Sequence, residues 1–142
     1  MKSNNIQESG LGDLLLVLRR NIRENIKKEG LKHDLTFSQV EALRFIGSHG
    51  EKTMREIANY LKITPPSVTE IVGDMEKKGL VKRKSGKVDR RVVFIVLSDT
   101  SKKLYASLNR QKNAVFKKMI SKLNEKDKKN LERIIRILIE EE

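Results

Sequence analysis

A mainly α-helical fold carrying one small β-ribbon is what the sequence predicts, and three observations carry that prediction. Apolar residues recur at helical spacing over most of the chain. The period turns extended only between Leu80 and Leu97. Cap and turn residues stand where the periods change. At 142 residues, 37% hydrophobic and 35% charged, one domain with a real core is expected, not two full ones.

The elements follow in order. Leu11, Leu14, Leu15, Leu18, Ile22 and Ile26 keep helical spacing, with Gly30 as the expected stop. "TFSQVEALRFIGSHG" predicts a second helix capped by Thr36 or Ser38, striped by Val40, Leu43 and Ile46, and ended by Gly50. In "TMREIANYL", Thr53 and Glu56 have capping-box spacing, and Ile57, Ala58 and Leu61 turn inward. Only Lys62 and Ile63 separate this helix from "TPPSVTEIVGDMEKKG". There Thr64 is the expected cap, Pro65 takes the first helical position, and Val68, Ile71, Val72 and Met75 form a buried stripe closed by Gly79. "LVKRK", a turn at Ser85-Gly86 and "RRVVFIVL" predict a two-stranded ribbon whose apolar arm anchors it in the core. Beyond Ser98, Leu104, Leu108, Val115, Met119 and Leu123 define a long helix, and Leu131, Ile134, Ile135 and Leu138 a last one.

Two short helices joined by a tight turn form a helix-turn-helix, and a ribbon directly after it makes the motif winged. A reading helix needs one apolar face to dock and one face of short polar side chains to approach base edges. Here the outward arc holds Pro66, Ser67, Thr69, Glu70, Gly73 and Lys77. The chain carries a formal charge of +12, and between Lys77 and Arg91 eight Lys or Arg stand against one acid. That concentration points to an anionic partner, nucleic acid ahead of an anionic membrane surface. A ribbon tip with Arg90 and Arg91 suits phosphates or a narrow minor groove. Thr53 and Arg55 on the first helix of the motif, Thr64 at the head of the second, and Lys84, Lys87 and Asp89 on the ribbon complete the candidate DNA-contacting set.

Other classes find little support. Cysteine is absent, which excludes disulfides and thiolate zinc sites and suits a reducing cytoplasm. "LLLVL" (14–18) is too short for an export-signal core, with Glu8 and Asp13 ahead of it and Arg19 and Arg20 behind. No run approaches the roughly 20 apolar residues of a membrane span. His33 and His49, beside Asp34 and Glu41, lack tight ligand spacing, so neither a metal site nor a cofactor is expected. No phosphate-binding glycine loop and no nucleophile–base–orienter set is legible, so no enzymatic activity is expected. Lys112, Lys117, Lys118 and Lys122 read as a solvated helix face.

"TPPSVTEIVGDMEKKGLVKRK" followed by "DRRVVFIVLSDTSKKL" resembles the MarR family of winged-helix transcriptional regulators, over nearly the whole chain. The most specific part is Asp89-Arg90-Arg91 before a strand ending Leu97-Ser98, matching the family's wing pattern of Asp, any residue, Arg. The resemblance implies that a wing arginine enters the minor groove while Asp89 helps hold it, and that Ser67 and Thr69 face the major groove. It also departs from the family: Glu70 and Asp74 stand where Arg is usual, Gly73 where Asp is usual, and Ser101 where a glycine is usual.

The expected organisation is an N-terminal dimerisation helix (1–34), a winged helix-turn-helix domain (35–98) and C-terminal dimerisation helices (99–142). "LLLVL" and "IIRILI" carry more apolar surface than one domain face hides, so a homodimer through Leu11, Leu14, Leu15, Leu18, Ile134, Ile135 and Leu138 is expected. The pattern alone also allows the two ends to bury each other within one chain; the resemblance favours the dimer. It further implies a small anionic or phenolic effector, with Arg19, Arg23 and Phe45 as its neighbours. The expected function is a cytoplasmic, DNA-binding repressor on a pseudo-palindromic operator with half-sites roughly 34 Å apart. The alternative is a winged-helix module that meets a protein through Glu70 and Asp74.

Overall fold

Residues 10–140 are described, in a computed structural model, so Glu8 lies outside the described residues. The described residues form six helices and three strands, in the order α1 (Leu11–Lys32), α2 (Phe37–His49), β1 (Lys52–Thr53), α3 (Met54–Leu61), α4 (Pro65–Lys77), β2 (Val81–Ser85), β3 (Val93–Leu97), α5 (Asp99–Ile120) and α6 (Glu125–Ile139). The chain divides into two compact units, Met1–Asn109 and Arg110–Glu142. Among the described residues no helix is long and apolar enough to cross a membrane.

Local chemistry explains most boundaries. Of the two candidate caps for α2, Thr36 is the one used: its hydroxyl accepts from the Gln39 amide at 3.2 Å, and the Gln39 side chain returns a bond to the Thr36 amide. Thr53 and Glu56 close the same reciprocal box on α3. Gly30 does not stop α1, which runs on to Lys32. It is instead a buried contact point, where an added Cβ would lie 2.8 Å from Val40 Cγ2 and 2.9 Å from the Leu35 carbonyl oxygen. Its missing side chain lets the start of α2 pack against α1.

The first unit holds the core. Val40 and Leu43 from α2, Ile57 from α3, Val72 and Met75 from α4, Ile95 from β3 and Leu108 from α5 are fully buried. Each such side chain contributes about 1.5–3 kcal/mol relative to exposure. Ser101, standing where the resembled family has glycine, is also buried. Its hydroxyl donates to the Leu80 carbonyl, and its amide donates to Ser98 Oγ at 3.2 Å. The substitution is thus absorbed by tying the start of α5 to the start of β2.

The sheet has three antiparallel strands in the order β1-β3-β2, one more than the expected ribbon. Lys52 and Thr53 pair with Ile95 and Phe94. Two residues are too few to show an extended period, which is why the strand was illegible. The expected turn at Ser85-Gly86 is also displaced. Ser85 still pairs with Val93, and residues 86–92 form a longer tip. Nor is the apolar arm buried throughout: Ile95 and Leu97 are buried, Phe94 and Val96 on the opposite face are only half-buried, and Val93, on the same face as Ile95, is exposed where the strand nears the tip.

The second unit contains the end of α5 and α6. Asn124 caps α6 by accepting from the Asp127 amide at 2.8 Å. No residue of α6 is buried. Ile120, Leu131, Ile135 and Ile139 line an open groove of about 520 Å³ with Lys128, Glu132 and Arg136.

Candidate nucleic-acid interface

Lys62 adopts a left-handed backbone (φ 54°) and turns the chain sharply between α3 and α4. Val68, Val72 and Met75 then seat α4 in the core, with Ile71 packed beside them. Pro66, Ser67, Thr69, Glu70 and Lys77 are exposed, and Gly73 lies half-buried between Glu70 and Lys77 on the same side of the helix. Thr64 occupies the cap position of α4, but its side chain makes no capping bond; its hydroxyl meets Ser67 Oγ at 3.0 Å. The Thr69 hydroxyl donates to the Pro65 carbonyl at 3.1 Å. These short side chains are oriented by their own helix and keep acceptor capacity toward solvent.

The wing tip is built on Gly86. Its amide donates to the Val92 carbonyl at 2.8 Å, and the Val92 amide donates to the Asp89 carbonyl at 3.2 Å. A Cβ at Gly86 would collide with that same Asp89 carbonyl and crowd Phe94, so the folded-back tip requires glycine here. Asp89 clamps Arg91 three ways: its carboxylate accepts the Arg91 amide at 3.0 Å, Nε at 3.2 Å and Nη2 at 3.1 Å. The Arg91 side chain holds the Asp89 carboxyl below its ordinary value, and the Arg91 amide adds to this. Arg91 nonetheless stays 91% exposed. Arg90 has no acidic partner among the described residues. Val88 at the tip is fully exposed, an apolar contact point that the sequence reading did not single out.

Folding redistributes the basic cluster. Arg83 pairs with Glu76 at 3.0 Å, Lys84 with Glu51 at 3.4 Å, Lys78 with Asp34 at 3.9 Å, and Arg91 with Asp89. Lys77, Lys82, Lys87 and Arg90 have no acidic partner among the described residues. The eight cations therefore face four acids in space, against one in the sequence window. Lys82, exposed and unpaired on β2, joins the candidate surface, although the sequence only counted it within the run. Thr53 has its hydroxyl engaged with Glu56, whose carboxyl is held below its ordinary value chiefly by the Thr53 amide. Arg55 is exposed beside it on α3.

The remaining candidates are dispersed. Arg23 lies 4.6 Å over the Phe37 ring, whereas Phe45 stacks on Tyr60 at 4.0 Å, so each has its own partner; Arg19 is exposed. None of the three lines the crevice of about 580 Å³ formed by Ile46, Glu51, Lys84, Val96, Lys102 and Tyr105 with its neighbours. Leu11, Leu14, Leu15 and Leu18 on α1 are 37–74% exposed. Ile134, Ile135 and Leu138 on α6 are 44–68% exposed. Among the described residues no group of three or more His, Asp or Glu side chains is gathered to hold a metal ion.

Residues 33–92 match the model of the MarR family. The HTH-type transcriptional repressor MdtR of Bacillus subtilis is 26% identical over 127 residues, covering 89% of this chain and 82% of MdtR. A MarR family protein from Bacillus stearothermophilus superimposes with a TM-score of 0.82 at 22% identity, over 90% of this chain and 89% of that one. A Staphylococcus aureus MepR–DNA complex superimposes with a TM-score of 0.78 at 20% identity, over 93% and 98%. With the helix-turn-helix, the small sheet and the Asp89–Arg91 clamp already in place, the chain is similar to the MarR family of winged helix-turn-helix transcriptional regulators, whose family model matches residues 33–92.

Proposed function

We propose that this regulator is a sequence-specific DNA-binding repressor, acting in the cytoplasm as a homodimer on a pseudo-palindromic operator. One observation carries the reading. A single folded unit presents both a polar arc on α4 and a wing tip with an unpaired Arg90 and a clamped, exposed Arg91. The arc suits base edges in a major groove, and the tip suits phosphates or a minor groove. The match of residues 33–92 to the MarR family model and the DNA-bound state of MepR support the same partner, and the likeness to the transcriptional repressor MdtR supports repression.

The exposed leucines of α1 and, separately, the exposed isoleucines of α6 support self-association, because runs of exposed apolar side chains on one element usually mark an interface. A two-fold assembly would set two α4 helices at the spacing of two half-sites. Release by a small anionic or phenolic effector completes the proposal, with Arg19, Arg23 and Phe45 as candidate contacts. Such a ligand acts only by binding one spacing of the reading helices better than another.

Titrating labelled duplexes at several salt concentrations tests the core of this proposal. A regulator shows a steep linear fall of log affinity with log salt together with a sequence preference. A winged-helix module for protein partners, the competing reading, shows neither.

A further inference from the structure

We infer that Gly73 and Glu70 form the base-reading element of α4: Gly73 lets the duplex come close to the helix backbone, and Glu70 accepts a hydrogen bond from the exocyclic amino group of a cytosine. This rests on the DNA-binding reading above and specifies what that surface selects.

The argument begins with position. An α-helix advances about 100° per residue. With Val68, Ile71, Val72 and Met75 turned to the core, Pro66, Glu70, Gly73 and Lys77 fall within about 60° of arc on the opposite side. Gly73 is therefore near the outermost line of the helix, in its middle.

Glycine is the poorest helix former after proline, so a mid-helix glycine needs a reason. The fold supplies reasons elsewhere: at Gly30 and Gly86 a Cβ would collide with neighbouring chain. At Gly73 it would meet nothing within 4 Å. Its backbone is not in the positive-φ region either, where only Gly50 and Gly79 are found among the glycines. Nothing within the chain asks for the missing side chain, so the surface that asks for it is a partner's.

Glu70 lies one turn earlier on the same line. It is exposed and has neither an ion pair nor a hydrogen bond among the described residues, in a chain with 31 Lys and Arg. A free carboxylate facing DNA is repelled by phosphate, so it is favourable there only against a donor. In the major groove guanine offers two acceptors, and adenine sets its amino group beside the N7 acceptor. Cytosine N4 is the donor without such an acceptor on the same base, and Glu is its usual acceptor.

The test begins by selecting preferred duplexes from a random pool with the full chain, then measuring Kd and melting temperature for three variants. Glu70→Gln should change the preferred base from cytosine to adenine at one position per half-site, because the amide suits adenine N6 and N7, with roughly tenfold discrimination. Gly73→Ala should raise the melting temperature by about 3 °C while weakening the selected site about tenfold. Gly73→Gln should stabilise to a similar degree and weaken binding further, because its side chain is longer. An unchanged base preference in Glu70→Gln would overturn the cytosine contact. A Gly73→Ala protein that melts higher and binds as before would overturn the close approach. If the wild-type chain binds no duplex with a salt slope, the DNA-binding reading itself fails, which neither variant result would imply.

Discussion

The winged-helix unit and the helices at the two ends of the chain use similar amounts of apolar sequence to opposite effect. Around α2, α3, α4 and β3, side chains such as Leu43, Ile57, Met75 and Ile95 are fully buried. On α1 and α6, Leu11, Leu16, Ile137 and Leu138 are 60% exposed or more. A fold can leave single apolar residues at its surface without consequence, but not whole stripes of them. The first region buries its apolar side chains within one chain, and the second leaves exposed stripes that the proposed homodimer would cover.

That contrast can be broken most decisively at its open end. Replacing Ile135 and Leu138 together with Glu should abolish self-association, read as monomer mass in analytical ultracentrifugation, while the winged unit keeps its cooperative melt. A variant that remains dimeric would remove α6 from the interface. In the closed region, Leu43→Ala should cost about 3 kcal/mol of unfolding free energy in urea titration, because it leaves a cavity in a packed core. The same truncation at Leu138 should cost far less in the monomeric background.

Smaller effects sharpen the functional half of the comparison. Arg90→Ala with Arg91→Ala should weaken binding to every duplex by about 2 kcal/mol and flatten the salt slope, and an unchanged affinity would refute the wing assignment. Thr53→Ala should cost about 1 kcal/mol of stability by opening the α3 capping box. The pH effect is the smallest. Arg91 depresses the folded carboxyl of Asp89, and the Thr53 amide that of Glu56, below their ordinary values of 3.8 and 4.5. Stabilisation from these groups is therefore present above their unfolded values and lost as pH falls through the lower folded ones. The melting-temperature gap between wild type and Asp89→Asn, Glu56→Gln should be constant near neutrality and narrow only in acid below the usual carboxylate range. A gap that narrows near neutrality would contradict these pairings.

Much of the architecture was legible because its causes are short-range. The capping box at Thr53, Pro65 at the start of α4, and the stripe Val68, Val72, Met75 are local patterns, and each appears where its spacing placed it, while Thr36 is one of the two caps the sequence allowed for α2. The failures were also physical. Gly30 looked like a stop because sequence does not reveal that α2 packs against it. β1 was too short to have a period, and Thr64 was a sound cap by type whose hydroxyl turned instead to Ser67. At the candidate interface, the arc of α4 could be named in advance, but not which cations of the basic run are available.

The sequence by itself determined the order of the helices, the helix-turn-helix with its wing, and the excess of positive charge near that wing, because periodicity, caps and composition act between near neighbours. Tertiary structure alone decided that Lys84 pairs with Glu51, 33 residues away, and that Arg90 does not pair at all among the described residues. It also decided that Gly86 carries the fold of the tip while Gly73 is free of intramolecular demand. Those outcomes depend on sheet register and helix packing, which bring distant residues together by burying the core between them rather than by any preference of the residues that meet.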